Sequence, residues 1–189
     1  MPKFKRAHIP GGTFFFTVVT YNRRPLFQHS LAQQLLGDAI RECQQNWPFE
    51  INAIVLLPDH LHAIWTLPEG DDRFSARWSL IKKGFTNRFR GVRGKEATIT
   101  VAQQREGRAG YWQPRFWEHT LEDEKDFEKH FDYIHFNPVK HGYVKCPQDW
   151  GPSSFHRWVR QEVYDENWAC GESPQWDFTM IEKSCGEPE

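Results

Sequence analysis

The chain has 189 residues, 39% hydrophobic and 15% aromatic, which is enough for one domain with a sizeable buried core. Its 24 Lys and Arg against 25 Asp and Glu give a formal net charge of -1, which excludes a uniformly basic nucleic-acid binder. No apolar run reaches the roughly 20 residues that cross a bilayer, and Met1-Pro2-Lys3-Phe4-Lys5-Arg6 is followed by no apolar stretch of the kind a secretion signal needs, so the expectation is a cytoplasmic protein.

Gly11-Gly12 opens into Thr13–Thr20, whose aromatic and β-branched residues predict a strand, broken by Asn22-Arg23-Arg24-Pro25. A helix is expected from Ser30, where Gln33 would complete a capping box, to about Gln45, with Leu31, Leu35, Ala39 and Cys43 along one side beside Leu36 and Ile40. Phe49–Leu56 and His60–Thr66 read as two strands of a hairpin joined through Leu57-Pro58-Asp59. After the turn cluster Leu67–Asp72, a second helix over Ser75–Phe89 would bury Trp78, Ile81, Phe85 and Phe89 and leave Arg77, Lys82, Lys83 and Arg88 outside. The Gly-, Arg- and Gln-rich segment from Gly91 to Gly110 reads as a mobile loop.

Arg115–Thr120 is expected as a further strand, and Glu122-Asp123-Glu124 as the acidic start of a third helix anchored by Phe127, Phe131 and Ile134 and stopped by Pro138. This order predicts an α+β domain over residues 1–158, a central antiparallel sheet with helices packed mainly on one side, and an acidic C-terminal tail over 159–189. Four scattered cysteines without a C-x-x-C pair read as free thiols. Charge is uneven: residues 1–25 and 73–95 hold Lys and Arg with no acid, whereas 161–189 hold eight acids against Lys183 alone. Two acid-free stretches in so short a chain point to phosphate binding, with ordinary solvated faces as the alternative.

The chemistry-bearing residues are His60-Leu61-His62 and the pair Tyr133 and Asn137. A strand sends His60 and His62 to one face, because its period is two; a helix puts Tyr133 and Asn137 on one face, because its period is 3.6. Two imidazoles and an amide oxygen can hold a divalent ion beside a tyrosine nucleophile. Imidazoles suit Mn²⁺ or Zn²⁺, and Mg²⁺ requires added oxygen ligands such as Asn137 and waters. A phenol with an unperturbed pKa near about 10 needs such help at neutral pH. Taken singly, the histidines could be two polar residues of a half-exposed strand, and Tyr133 a packed helix aromatic. His135 reads as structural or DNA-facing.

Four motifs then become specific together: Lys5-Arg6-Ala7-His8-Ile9-Pro10-Gly11-Gly12-Thr13; Leu57-Pro58-Asp59-His60-Leu61-His62; Trp112-Gln113-Pro114-Arg115-Phe116-Trp117-Glu118-His119; and Asp132-Tyr133-Ile134-His135-Phe136-Asn137-Pro138-Val139-Lys140-His141-Gly142. In this order they resemble the transposase-like proteins associated with repetitive extragenic palindromes, in the single-tyrosine branch of the HUH endonucleases. The resemblance covers residues 3–158; segment 90–111 and the acidic end depart from it.

The resemblance implies a ferredoxin- or RRM-like HUH fold, a divalent ion (Mg²⁺ or Mn²⁺) on His60 and His62 with Asn137 as third ligand, and Tyr133 as nucleophile. It implies a substrate too: single-stranded DNA folded into a palindromic hairpin after a 5′ guide tetranucleotide, cleaved and rejoined through a 5′-phosphotyrosine. The setting would be a bacterial cytoplasm, with the nucleoid as the location when DNA is bound. Lys82, Lys83, Arg88 and Arg115 are the expected phosphate contacts, and Lys5 and Arg6 the residues that reach the guide bases. A monomer acting in cis is expected, with a dimer exchanging its third helix as the competitor. Two other readings stay open: a hairpin-binding module without chemistry, and a metal hydrolase of small phosphoesters that does not use Tyr133.

Overall fold

A computed structural model describes residues 8–93 and 110–185. Lys5, Arg6 and most of the expected 91–110 loop lie outside the described residues. Strands β1 (Thr13–Val19), β2 (Glu50–Leu56), β3 (His60–Thr66) and β4 (Trp117–Thr120) form a four-stranded antiparallel sheet in the order β2-β3-β1-β4. Helices α1 (Ser30–Asn46) and α2 (Phe74–Arg93) cover one face. Helix α3 (Glu124–Lys140), with the shorter α4 (Phe155–Arg160) and α5 (Thr179–Cys185), covers the other. The α+β class with an antiparallel sheet is as expected. The helical cover is two-sided, because both faces of β1 and β3 are apolar enough to require it.

Alternation along the strands sorts the two cores. Phe14, Phe16 and Val18 of β1, with Leu61, Ala63 and Trp65 of β3, meet α1 and α2, where Trp65 stacks on Trp78 at 4.0 Å between ring centroids. Phe15 and Ile64 face the opposite way, joining Ala53, Val55, Phe131, Tyr133 and Ile134. Trp78, Ile81, Phe85 and Phe89 are all buried, as their spacing predicts.

Several local expectations need correction. His29, not Ser30, caps α1, and Gln33 Nε2 donates to the Phe27 carbonyl (2.8 Å), so no capping box forms. Helix α3 passes Pro138 and ends two residues later, at Lys140. Pro138 lies in the last turn, where its missing donor and its ring cost one hydrogen bond and a local distortion at the carbonyl of residue 134 rather than the whole helix, and Gly142 supplies the left-handed turn (φ 69°) beyond the helix end. Arg77 is not outside: it is 1% exposed and donates to Asp71 and to the carbonyls of Trp47 and Pro48. Cys146 and Cys170 form a disulfide, whereas Cys43 and Cys185 stay reduced and buried, so the expectation of four free thiols is corrected. Their partnering was invisible because the pair is 24 residues apart in an irregular segment.

The acidic stretch beyond 158 is packed against the rest of the chain over its described length. Tyr164, Phe178, Ile181 and Cys185 belong to the same apolar cluster as Phe131 and Phe155. Asp132 of α3 accepts from Tyr164 (2.6 Å) and Trp176 (2.7 Å), and the core therefore runs across the expected boundary at 158.

The Asp71–Arg77 pair gives a stability test. Hydrogen bonds from Arg77 and Arg73 hold the Asp71 carboxyl well below the usual carboxylate range. Asp71→Asn would leave a buried guanidinium without its counter-charge and should cost about 3 kcal/mol in denaturant unfolding at neutral pH. A lowered carboxylate pKa stabilises the fold above its unfolded value, and that contribution fades as the pH falls toward the folded one. The gap between parent and variant should therefore narrow below about pH 4.

Candidate active site and nucleic-acid surface

Antiparallel pairing sets Thr17 of β1 opposite His62 and Val19 opposite His60. Both imidazoles consequently leave the face covered by α3. Each is backed at Nδ1: His62 by Thr17 Oγ1 at 2.9 Å, and His60 by Asp59 Oδ1 at 2.6 Å. Asp59 is itself held by Arg23 (3.2 Å). Burial alone would raise the Asp59 carboxyl, but the bonds and charges of His60 and Arg23 outweigh it and hold it below the usual range. The two rings lie 5.0 Å apart, both buried.

From α3, Tyr133 and Asn137 come down on the same face, four residues apart and both buried. The Tyr133 ring centroid is 5.4 Å from that of His62. His60 Nε2 and Asn137 Oδ1 are fully buried polar atoms at this sheet–helix interface. A histidine backed at Nδ1 by a carboxylate or hydroxyl is oriented to ligate through Nε2, and an amide oxygen is a suitable third donor, so these residues fit a divalent ion.

The sequence did not single out the groups that surround this pair. Lys140 Nζ lies 3.3 Å from Tyr133 Oη, and Cys185 Sγ 3.7 Å from it. Lys140 is also 3.3 Å from Glu182. Phe178 packs edge-on to Tyr133 (5.3 Å). Thus α5 and the segment before it roof the phenol, which is 0% exposed. His141, 5.7 Å from the His60 ring, and Tyr143, 45% exposed and stacked on Trp150, line the neighbouring edge. The signals were available in Val139-Lys140-His141-Gly142-Tyr143, but helix periodicity could not show that the chain turns back on itself there. His135 is structural: buried between Ser154 (2.8 Å) and Tyr164 (3.2 Å), it is pushed by burial down to about 3 and stays neutral.

The expected phosphate contacts fare differently. Lys83 and Arg115 are exposed. Lys82 donates to the Gln113 carbonyl (3.1 Å) and lies over the Trp112 and Phe116 rings, while Arg88 is paired with Glu42. Lys82, Lys83 and Arg90 line a cavity of about 510 Å³ together with Tyr111, Trp112 and Gln113. Trp112 and Trp117 are half-buried and pack against the two cores.

A four-stranded antiparallel sheet that presents a histidine pair to a helix-borne tyrosine is the α+β architecture of the HUH class. No family model matches the chain. A REP-associated tyrosine transposase of Escherichia coli (strain K12) is 47% identical over 169 residues, 89% of this chain and 92% of that protein. A putative REP-associated tyrosine transposase of Haemophilus influenzae is 40% identical over 169 residues, 89% of this chain and 93% of its own. A solved structure of a REP-associated tyrosine transposase bound to a REP hairpin superposes with a TM-score of 0.76 at 44% identity, covering 95% of this chain and 96% of that one. The chain belongs to the REP-associated tyrosine transposases. Among the described residues no helix is long and apolar enough to cross a membrane.

The roof over Tyr133 can be tested chemically. Nitration of the Tyr133 peptide, followed by mass spectrometry, should be slow in the intact chain and several-fold faster in Phe178→Ala; equal rates would mean that the phenol is not closed off in solution.

Proposed function

We propose that this transposase binds a palindromic single-stranded DNA hairpin and cleaves and rejoins it through a 5′-phosphotyrosine at Tyr133. The observation that carries this reading is the 5.4 Å approach of the Tyr133 ring to His62 within one chain, with both imidazoles already braced at Nδ1. His60, His62 and Asn137 would hold a Mg²⁺ or Mn²⁺ ion, which when bound neutralises charge on the scissile phosphate. Asp59 and Thr17 orient the imidazoles. The Tyr133 oxygen attacks phosphorus as the bond to the 3′ oxygen breaks, and the proton lost by the phenol balances the one gained by the leaving hydroxyl. Lys140, beside the phenol oxygen, favours its deprotonated, nucleophilic form and stabilises the negative charge that returns to it when it leaves in rejoining. The same step in reverse, with a DNA 3′-hydroxyl as attacker, rejoins the strand without ATP.

Hairpin binding is supported by the solved relative's REP hairpin partner and by the exposed Lys83 and Arg115. Lys5 and Arg6, which precede the described residues, are assigned to the 5′ guide tetranucleotide. The proposed unit is a monomer acting in cis in the cytoplasm, meeting the nucleoid through its DNA. One observation favours a second reading, a hairpin-binding protein that performs no cleavage in the cell: Tyr133 is fully buried under the C-terminal segment.

Incubating the chain and a guide-bearing hairpin oligonucleotide with Mn²⁺ or Mg²⁺ should give a covalent protein–DNA adduct that Tyr133→Phe eliminates. His60→Ala and His62→Ala should suppress cleavage far more than hairpin affinity. Binding with no adduct under either ion would favour the second reading. For the DNA surface, Lys83→Ala or Arg115→Ala should each lower the slope of log affinity against log salt by about 1.

A further inference from the structure

A second cluster of ligand-type side chains lies on the same sheet face, toward the N-terminal end of α3. His119 stands on β4 directly opposite Phe15 of β1 and so projects toward α3, where Asp126 and His130 lie one turn apart on a shared face. Potential ligand atoms of His119, Asp126 and His130 all lie within 4.8 Å of one another. Asp126 Oδ2 is 2.8 Å from His119 Nε2, Asp126 Oδ1 is 3.0 Å from His130 Nδ1, and the two imidazoles stack at 4.8 Å. We propose that His119, Asp126 and His130 form an auxiliary site for a divalent transition-metal ion, distinct from the His60–His62 pair, that clasps β4 to the helix carrying Tyr133.

The donor set is the argument for the ion class. Two imidazoles and one carboxylate suit Zn²⁺ and the neighbouring first-row ions and suit Mg²⁺ poorly. Burial of Asp126 is outweighed by the His119 bond, the Glu122 backbone donor and the nearby imidazoles, so the carboxyl is held low and stays charged. Burial pushes His130 below its ordinary value, which keeps its ring neutral and able to ligate. His119 and Asp126 keep 35% and 23% of their side-chain surface, which leaves an entry path, while His130 at 6% anchors the site inside. An ion would replace the hydrogen bond between His119 and the Asp126 carboxylate and the one from His130 Nδ1 to the Asp126 backbone carbonyl (2.9 Å), each imidazole then carrying its proton on its other nitrogen. Phe15 touches both His130 (4.8 Å) and Tyr133 (6.0 Å), and His130 precedes Tyr133 by three residues on α3, so an ion here would brace the segment of helix that positions the phenol.

Zinc and cobalt titrations of the full chain decide it. In a His60→Ala/His62→Ala variant, one Zn²⁺ should still bind per chain and Co²⁺ should give visible ligand-field absorption; adding His119→Gln or His130→Gln should remove both signals. Zinc should also raise the thermal midpoint of the double variant and leave that of the triple variant unchanged. Should the triple variants fail to fold, imidazole NMR of the unsubstituted chain serves instead, the His119 and His130 nitrogens shifting with Zn²⁺. A folded His60→Ala/His62→Ala chain that binds no ion, binding that survives loss of His119 and His130, or imidazole signals unmoved by zinc would each overturn the site and leave a hydrogen-bonded cluster.

Discussion

The pairing of β1 with β3 sets Thr17 opposite His62 and Val19 opposite His60, and with a side-chain period of two that register decides which face each imidazole meets. A slip of one residue would turn both rings into the aromatic layer under α1 and α2, built from Phe14, Phe16, Trp65 and Trp78. That layer makes the slip costly, since Leu61, Ala63 and Trp65 would be expelled from it. The same alternation that buries the large apolar side chains therefore delivers the polar ones to α3. Thr17 has a place in both accounts: it is a strand residue in the pairing ladder and the hydrogen-bond partner that fixes the His62 ring.

Helix α3 is the other half of the arrangement, and it is held from three sides. Phe131, Tyr133 and Ile134 pack on the sheet face, Asp132 accepts from Tyr164 and Trp176, and His135 is locked between Ser154 and Tyr164. Much of that support comes from residues after 158, whose described part contributes apolar and hydrogen-bonding groups inward. The Cys146–Cys170 disulfide ties the middle of this segment to the loop after α3. In consequence the elements that stabilise the helix also cover the phenol. For Tyr133 to act as proposed, Phe178 and α5, which pack over its ring, would have to give way to a DNA backbone.

Much of this was legible in the residues alone. His60–Thr66 was delimited by Pro58-Asp59 before it and Pro68 after it, and the spacing of Trp78, Ile81, Phe85 and Phe89 marked the buried face of α2. The shared faces of His60 with His62 and of Tyr133 with Asn137 followed from periodicity. What periodicity cannot supply is long-range company. Arg77 looked like a surface charge because its partners, Asp71 and the carbonyls of Trp47 and Pro48, are set by how α2 meets the end of α1. Residues 159–185 looked like a tail because their apolar groups are too irregularly spaced to announce a helix, although Trp168, Trp176 and Phe178 were a hint of burial. The grouping of His119 with Asp126 and His130 depended on the β1–β4 register, which no local pattern reveals.

Two tyrosines belong to the surroundings of the histidine pair: Tyr133, fully buried beside His62, and the half-exposed Tyr143, which stacks against His141, itself beside His60. Peptide mapping by mass spectrometry of the chain covalently trapped on a hairpin oligonucleotide separates them. The geometry of α3 predicts a phosphodeoxynucleotide mass on the peptide carrying Tyr133; the same mass on Tyr143, or on any other side chain, would contradict it.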